Sequence, residues 1–242
     1  MSNSRKNNAT RAEIFRDELF ASGTFKNVYE GRYTAGGRAG QRCVSKEFKT
    51  GSVYEAHYFD EEMNIIRCSQ KVIDDWDAGD FIDKRILLNT PAIWTYEISG
   101  AKNLVEPMIE NFEKFNSNSG WVDTTNGAWS HVMQALSHFS YHNSGGQLLL
   151  CDLQGGMYKN GYILSDPVIM SQRGNYGPTD LGPDGIRSFF QRHRCGNYCR
   201  AEWQKPRYQG KAKIPMRQGT SMINPYYLPT RASRNPLTRL AE

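Results

Sequence analysis

The sequence has no apolar run long enough to cross a bilayer. Its longest ones, such as LLLC at residues 148–151, are short, whereas a membrane-spanning helix needs about 20 consecutive apolar residues. The N-terminal stretch MSNSRKNNATRAE lacks the apolar centre of a secretory signal, and Ser2 stands where myristoylation requires glycine. No internal repeat is visible. We therefore expect a soluble, cytoplasmic protein that has no membrane partner.

Cysteine is also scarce, since the chain of 242 residues contains only five, an odd number. Such sparse usage argues against a disulfide framework and fits reduced thiols, some of them with a metal-binding role. Hydrophobic residues make up 38% of the chain and aromatic residues 12%, which is ordinary for a folded protein. The length predicts one large domain or two small lobes.

Positive charge is concentrated at the C-terminal end. Residues 201–242 carry eight Lys and Arg against two Glu, which gives +6, so the remaining 200 residues sum to −1. A nucleic-acid surface is one interpretation of such a tail. Aromatic residues do not alternate with the basic ones there as they do in nucleic-acid modules. We favour a solvated, partly flexible extension and do not expect nucleic acid to be the partner.

The first half of the chain is predicted to be rich in strands. The patterns indicate, in order, a short helix over 10–20 opened by a capping box, a β-hairpin over 23–48, a long amphipathic helix ending near Asp77, and strands at 84–89, 92–98 and 103–108.

The second half is predicted to mix helices and strands. An amphipathic helix beginning near Trp129 ends at the NSGG stretch, and a buried strand follows at 147–151, with 161–164 as its expected partner. Pro183 suits the first turn of a further helix that reaches His193. A β-rich first half and a mixed second half suggest two lobes, joined near residues 105–120.

Three candidate zinc ligands lie within seven positions, at His193, Cys195 and Cys199. Thiolate and imidazole ligands suit zinc, and structural zinc sites almost always have four ligands. The spacing leaves the fourth ligand open among His57, His131, His138 and His142. The alternative is two cysteines buried as small apolar side chains beside a surface histidine.

A second candidate site follows the buried strand at 147–151. Alternation places Asp152 and Gln154 on one face, and the glycines after them permit close backbone approach. Asp166 stands at the end of the next strand. Carboxylate and amide oxygens are suitable Mg²⁺ ligands that leave positions for phosphate oxygens. The alternative for Asp166 is an ordinary Asp-Pro turn.

Two weaker signals are a lysine and a glycine-rich loop. Lys46 lies in an alternating strand, where most lysines are simply exposed, but a kinase site needs one lysine that reaches the nucleotide phosphates. The stretch YGPTDLGPDG at 176–185 places three glycines before a helix. Such a loop favours contact with an anion or a substrate backbone, although a lone glycine-rich loop is a weak indication.

Taken in order, these stretches resemble the catalytic domain of the alpha-kinases, a family of atypical Ser/Thr protein kinases. The stretches that carry the resemblance are VSKEF at 44–48, LVEPMIENFEKFNSNSG at 104–120, ALSHFSYHNSGGQLLLCDLQG at 135–155, SDP at 165–167 and TDLGPDGIRSFFQRHRCGNYC at 179–199. The resemblance spans about residues 12–200. The HRD and DFG signatures of ordinary protein kinases are missing, as they are in this family.

The resemblance implies an α+β, two-lobed, protein-kinase-like fold with a structural zinc in the C-terminal lobe. It implies a catalytic domain over 12–200, with an N-lobe at about 12–105 and a C-lobe at about 106–200, followed by the basic extension 201–242. The zinc ligands it implies are His138, His193, Cys195 and Cys199.

The resemblance also implies an ATP- and Mg²⁺-dependent kinase that phosphorylates Ser or Thr of a protein substrate. Asp152 would accept or orient the substrate hydroxyl, and Gln154 and Asp166 would hold Mg²⁺. The remaining nucleotide contacts would come from Lys26 and Lys46 at the phosphates and from Glu106 and the backbone of Met108 at adenine. The loop TDLGPDG would touch the protein substrate.

The chain departs from the family pattern in three places. Lys26 replaces the usual Arg and so cannot form a bidentate contact. About four additional residues precede Asp166, and a glycine expected near Glu110 and Asn111 is absent. None of these changes removes a chemical group that catalysis needs, so we favour an active kinase over the alternative, a catalytically silent alpha-kinase-like module that binds phosphopeptides or acts as a scaffold.

Overall fold

The computed structural model of the chain describes residues 3–49, 56–97, 99–124, 127–207, 210–211 and 214–217. The chain divides into two compact units. The first, called here the sheet unit, contains the described residues between 5 and 62 and between 89 and 109. The second, called the mixed unit, contains those between 63 and 88 and between 110 and 217, together with Asn3 and Ser4.

Strands and helices alternate unevenly along the described residues. In chain order they are β1 (Ser4–Lys6), β2 (Ala9–Ile14), β3 (Ala21–Ser22), β4 (Lys26–Gly36), β5 (Arg42–Phe48), α1 (Ala56–Ala78), β6 (Arg85–Thr90), β7 (Ala92–Thr95), β8 (Lys102–Pro107), β9 (Phe112–Lys114), α2 (Ala128–Asn143), β10 (Leu148–Cys151), β11 (Gln154–Tyr158), β12 (Gly161–Leu164), β13 (Val168–Ser171) and α3 (Gly182–Arg192).

The sheet unit is built on an antiparallel sheet in the order β2-β4-β5-β8-β7, and β3 pairs with β4. The predicted hairpin over 23–48 is confirmed, because β4 pairs with β5 from Lys26 opposite Phe48 to Arg32 opposite Arg42. Tyr33, Cys43 and Val105 form its buried apolar cluster.

The mixed unit combines helices with two sheets. One sheet contains β6, β12, β11 and β9 as neighbours in that order, and β10 and β13 form a separate antiparallel pair. Its largest apolar cluster includes Trp76 from α1, Leu136 from α2, Leu150 from β10 and Trp203. Packing therefore continues beyond residue 200, since Trp203 is only 5% exposed. The α+β fold expected from the resemblance is confirmed.

The helix predicted over 10–20 is wrong. Residues Ala9–Ile14 form β2, which pairs antiparallel with β4. Gly31 permits this pairing, because a Cβ there would lie 2.4 Å from the backbone oxygen of Glu13. A local capping pattern at Thr10 is worth only about 1 kcal/mol, and the cross-strand contacts of the sheet override it.

The partner predicted for the strand at 147–151 is also wrong. β10 pairs with β13, with Leu148 opposite Ser171 and Cys151 opposite Val168. The segment 161–164 is β12, which pairs antiparallel with β11 and parallel with β6. β10, β12 and β13 are all largely buried and apolar, so their sequence periodicity identifies strands but does not select partners.

The three helices expected around Met63, Trp129 and Ile186 are confirmed as α1, α2 and α3. Pro183 lies in the first turn of α3, as its fixed φ favours, and His193 follows the last helical residue. Among the helices in the described part of the chain, none is both long enough and apolar enough to span a membrane.

Candidate active site and metal centre

The candidate catalytic carboxylate lies directly after β10. Asp152 is 1% exposed and its backbone is left-handed, with φ of 58°. The next residue is held at both backbone groups, because Leu153 N–H donates to Asn116 Oδ1 at 3.0 Å and its carbonyl accepts from Phe115 N–H at 2.8 Å. The side chain of Asp152 is therefore fixed by a turn braced from a neighbouring segment, and not by strand alternation.

A lysine that sequence reasoning missed is paired with this carboxylate. Lys114 Nζ lies 2.8 Å from Asp152 Oδ1, and both side chains are largely buried. The antiparallel pairing of β9 with β11 places Lys114 opposite Gln154 and so explains the contact. Lys114 lies in the family-like stretch 104–120, but one lysine in a short strand gave no signal of its own.

Gln154 contacts both aspartates that the sequence assigns to the site, Asp152 and Asp166. Its Nε2 donates to Asp152 Oδ2 at 3.3 Å and to the backbone oxygen of Asp166 at 3.5 Å. The chain between Gln154 and Asp166 forms the β11–β12 hairpin, in which Gly155 pairs with Leu164. Ser165 N–H then donates to Gln154 O at 3.0 Å, so the hairpin register brings Asp166 back to Gln154.

The glycine-rich loop at 176–185 is organised by a buried carboxylate whose role the sequence did not reveal. Asp180 Oδ1 accepts from the backbone N–H groups of Ser171 and Gly182, each at 2.9 Å. Its Oδ2 accepts from Ser171 Oγ at 2.6 Å and from Tyr176 N–H at 3.1 Å. The loop that the resemblance assigns to substrate contact is therefore held in one conformation by four hydrogen bonds.

In the sheet unit, two of the predicted nucleotide-binding residues form a buried ion pair. Lys46 Nζ lies 2.7 Å from Glu106 Oε1, and the side chains are 6% and 5% exposed. Glu106 pairs across the strands with Val44, two residues before Lys46, so both side chains lie on one face of the sheet. A buried pair of this kind holds the lysine ammonium in a fixed place.

The second predicted phosphate-binding lysine is also paired. Lys26 Nζ contacts Glu62 Oε1 in α1 and lies 5.6 Å from the centre of the Phe48 ring. Lys26 pairs with Phe48 across the β4–β5 ladder, and Val28 pairs with Lys46. The two lysines are therefore diagonal neighbours on the same face of the sheet.

The backbone of Met108 has partners within the protein. Its N–H donates to Arg42 O at 3.1 Å, and its carbonyl accepts from Arg5 Nη1 at 3.2 Å. A carbonyl oxygen can accept two hydrogen bonds, so the carbonyl retains the capacity for a ligand contact whereas the N–H does not. Asn111, near which the family pattern leads us to expect a glycine, has a left-handed backbone with φ of 51°.

The four predicted zinc ligands converge in the mixed unit. One ligand atom from each of His138, His193, Cys195 and Cys199 lies within 4.8 Å of the others. The nitrogen–nitrogen distance is 3.1 Å, and three sulfur–nitrogen distances are 3.5, 3.6 and 3.7 Å. Bonds of about 2.0–2.3 Å to a tetrahedral zinc require edges of roughly 3.3–3.8 Å. The three sulfur–nitrogen distances lie in this range and the nitrogen–nitrogen distance is slightly shorter, so the donor set and its spacing are close to those of a zinc site.

The surroundings of the cluster favour the ring orientation and the neutral state that metal binding requires of the histidines. His138 Nε2 donates to Gln204 O at 2.9 Å, which leaves the lone pair of Nδ1 facing the other ligands. Burial lowers the pKa of His138 and lowers that of His193 to about 3, so both rings are neutral, as metal binding requires. Burial conversely raises the pKa of Cys199 to about 11, so zinc must displace a thiol proton there.

Two of the other candidate histidines, His131 and His142, are not part of this cluster. His142 accepts a hydrogen bond from Gln204 N–H at its Nδ1 and stacks against Trp203. His131 is likewise not among the four clustered ligands. The side chain of His57 lies outside the described residues.

The sequence profile of the Alpha-kinase family matches residues 21–199, well over half of the chain. The chain belongs to the alpha-kinase family. This alpha-kinase chain is 29% identical to myosin heavy chain kinase B of Dictyostelium discoideum over 188 residues, which cover 74% of the chain and 24% of that protein. It is 38% identical to alpha-protein kinase vwkA of the same organism over 90 residues, which cover 37% of the chain and 14% of that protein.

A third relative is the human transient receptor potential cation channel subfamily M member 6. It is 37% identical over 99 residues, which cover 38% of the alpha-kinase chain and 5% of the channel protein. The chain thus spans a quarter or less of the length of each of these three relatives.

Solved structures support the fold. An alpha-kinase from Entamoeba histolytica has a TM-score of 0.69 at 21% identity, covering 88% of this chain and 84% of that chain. The alpha-kinase domain of myosin heavy chain kinase A in complex with AMP has a TM-score of 0.66 at 21% identity, covering 78% and 88%.

Proposed function

We propose that the chain is an ATP- and Mg²⁺-dependent protein kinase that transfers the γ-phosphate of ATP to Ser or Thr hydroxyls of protein substrates. Membership of the alpha-kinase family supports a kinase. The observation that carries the proposal is the buried pair of Lys114 and Asp152 next to Gln154 and Asp166. Both aspartates have left-handed backbones, a strained state that concentrates at functional sites.

In this proposal Asp152 is the group that meets the substrate hydroxyl. The hydroxyl oxygen forms a bond to the γ-phosphorus, its proton passes to the Asp152 carboxylate, and the bond to the β,γ-bridging oxygen breaks to release ADP. Phosphoryl transfer depends mainly on positioning and charge neutralisation. Lys114 holds the carboxylate in place from 2.8 Å away and adds positive charge beside the transferred group.

Six residues supply the nucleotide contacts in this proposal. Gln154 and Asp166 supply oxygens for Mg²⁺, and bound Mg²⁺ would neutralise charge on the phosphates. Lys46 and Lys26 contact the phosphates.

Glu106 and the Met108 carbonyl contact adenine. The carbonyl is the Met108 group assigned here because the N–H of that residue donates to Arg42.

We further propose that His138, His193, Cys195 and Cys199 hold a structural zinc. Four protein ligands leave no position for water, so zinc there would stabilise the mixed unit without taking part in the reaction. The domain would extend over residues 12–200 in two lobes, with 201–242 as an extension.

Incubation of the full chain with labelled ATP, Mg²⁺ and a peptide array tests the function. We expect phosphate on Ser or Thr for the wild type and a loss of at least about a thousandfold for Asp152→Asn, because the proton acceptor is removed. Asp83→Asn, at an exposed residue of the same unit, is the matched control and should keep the wild-type rate. A wild-type chain that binds peptides but incorporates no phosphate would instead establish the silent binding module.

A further inference from the structure

A turn of the mixed unit holds the backbone of the C-terminal extension at both of its polar groups. Arg217 N–H donates to Ser119 Oγ at 2.8 Å. Its carbonyl accepts from Ser117 Oγ at 2.9 Å and from Ser119 Oγ at 3.0 Å. The turn Asn116–Gly120, called here the serine turn, therefore binds both backbone polar groups of one residue.

The serine turn is completely buried with the Arg217 segment in place and is attached to α2. Asn116, Ser117, Asn118 and Ser119 are all 0% exposed. Asn116 Nδ2 donates to Gln134 Oε1 and to Ser137 Oγ in α2, at 3.1 and 3.0 Å. These contacts attach the first residue of the serine turn to α2.

The two hydroxyl groups need an acceptor from outside the turn. Ser117 Oγ and Ser119 Oγ lie 2.9 Å apart, and each carries one proton. If they bonded only to each other, one of the two protons would lack an acceptor, which is unfavourable for a buried donor. The carbonyl of Arg217 accepts from both hydroxyls and removes this conflict. The turn is therefore chemically complementary to a peptide carbonyl with a neighbouring N–H.

Recognition at this place does not involve the side chain of the held residue. Residues 215–217 are exposed, although the backbone of Arg217 is clamped. The backbone of the extension is also held elsewhere, where Gln191 Nε2 in α3 donates to Gly210 O at 2.7 Å and His138 Nε2 donates to Gln204 O at 2.9 Å. Backbone contacts of this kind accept many sequences, as binding to diverse protein segments requires.

The serine turn is linked directly to the candidate catalytic residues. Asn116 Oδ1 accepts from Leu153 N–H, the residue after Asp152. Asn118 Nδ2 donates to Thr179 O at 2.9 Å, in the loop that the family resemblance assigns to substrate contact. Lys114, which contacts Asp152, precedes Ser119 by five residues. The two residues are therefore separated by at most about 18 Å of extended chain.

We propose that the serine turn is a binding site for an extended polypeptide backbone, and that the segment around Arg217 occupies it in competition with the protein substrate. The competition with substrate rests on the proposed kinase function, whereas the backbone site itself does not. The C-terminal extension thus acts as an internal ligand that must leave before a substrate segment can take the same place.

A pair of variants separates backbone from side-chain effects. Arg217→Pro removes the N–H that donates to Ser119 and restricts the preceding residue, whereas Arg217→Ala keeps both backbone groups. A fluorescent peptide with the sequence of residues 211–220, KAKIPMRQGT, is titrated into each full-length protein. We expect the peptide to bind Arg217→Pro about tenfold more tightly than the wild type or Arg217→Ala, because the internal ligand is released.

Addition of Ser119→Ala to the Arg217→Pro variant should abolish this binding, and a thermal melt confirms that the double variant is folded. Equal peptide binding by Arg217→Pro and Arg217→Ala, or binding that survives Ser119→Ala, would overturn the proposal.

A kinase assay tests the competition. Arg217→Pro should lower the KM for the peptide substrate several-fold, and leave kcat and the KM for ATP unchanged. Identical KM values in an active Arg217→Pro and Arg217→Ala pair would refute competition with the substrate. If none of the proteins transfers phosphate, the proposed function fails, while the peptide titration still decides the backbone site.

Discussion

The backbone conformations of single residues carry much of the information about the site. Asp152 and Asp166 have φ values of 58° and 48°, and a left-handed conformation costs a non-glycine residue about 1–2 kcal/mol. Strand alternation correctly grouped Asp152 with Gln154, but for a reason that does not hold in the structure, since Asp152 lies in a turn after β10. Sequence periodicity does not predict such a turn, which is held by hydrogen bonds between Leu153 and the distant residues Phe115 and Asn116.

Gly120 is a second residue whose role depends on distant contacts. It has φ of 87°, and a Cβ there would lie 2.4 Å from Ser188 Oγ and 2.7 Å from Ser188 O. We expect Gly120→Ala to lower the free energy of unfolding by about 2–4 kcal/mol, from backbone strain and overpacking together, as measured by urea denaturation.

Gly145→Ala is the matched control for this substitution. Gly145 also has a left-handed backbone, with φ of 62°, but among the described residues nothing beyond its chain neighbours would lie within 4 Å of a Cβ there. The free energy of unfolding of Gly145→Ala should therefore fall only by the backbone strain of about 1–2 kcal/mol. Equal losses for the two variants would show that the approach of Ser188 to Gly120 is unimportant.

At the scale of elements, long amphipathic segments and the local β4–β5 hairpin were predictable, whereas the pairing of strands further apart along the chain was not. The three helices were expected because their apolar residues recur over many turns, as around Trp76 and Leu136. The strand β2 was mistaken for a helix because a capping pattern is local, whereas its pairing with β4 comes from another part of the chain. The β10–β13 pair was missed for the same reason.

The loop before α3 gives a prediction at this scale. Asp180 accepts four hydrogen bonds through two carboxylate oxygens, and an amide would replace one of those acceptors with a donor. We expect Asp180→Asn to lower the free energy of unfolding by about 2–4 kcal/mol, because buried donors lose their acceptor. Urea denaturation measures this loss.

Asp184→Asn provides the comparison within the same loop and helix. Asp184 is 42% exposed and pairs with Arg187 one turn later in α3. An exposed pair of this type is worth at most about 1 kcal/mol. A loss for Asp180→Asn no greater than that for Asp184→Asn would mean that the loop does not depend on the Asp180 carboxylate.

At the scale of the whole molecule, the order of motifs was more informative than any single motif. The spacing of His193, Cys195 and Cys199 indicated a metal but left four histidines as possible fourth ligands, and only the family resemblance selected His138. The four side chains converge where His138 and Tyr141 of α2 contact Phe190 near the end of α3. Local sequence patterns do not predict that packing. They do not predict the pairing of Lys114 with Asp152 either, because it too joins residues that are distant along the chain.

The zinc proposal predicts which cysteines can be alkylated. Burial raises the pKa of Cys43 to about 12 and raises that of Cys151 well above its usual value, so both thiols stay protonated and inaccessible near neutral pH. Zinc coordination would protect Cys195 and Cys199 instead. In the native protein we therefore expect only the half-buried Cys68 to react, as measured by mass spectrometry of the labelled peptides.

Addition of a strong chelator should make Cys195 and Cys199 reactive first. Cys151 should follow as the mixed unit opens, because a structural zinc contributes on the order of ten kcal/mol to folding. Elemental analysis before chelation should give one zinc per chain. The His138→Ala variant should show reactive Cys195 and Cys199 without any chelator, whereas His131→Ala, outside the cluster, should label like the wild type. Labelling of Cys195 and Cys199 that is fast in the native protein and unchanged by the chelator would contradict a zinc at these four residues.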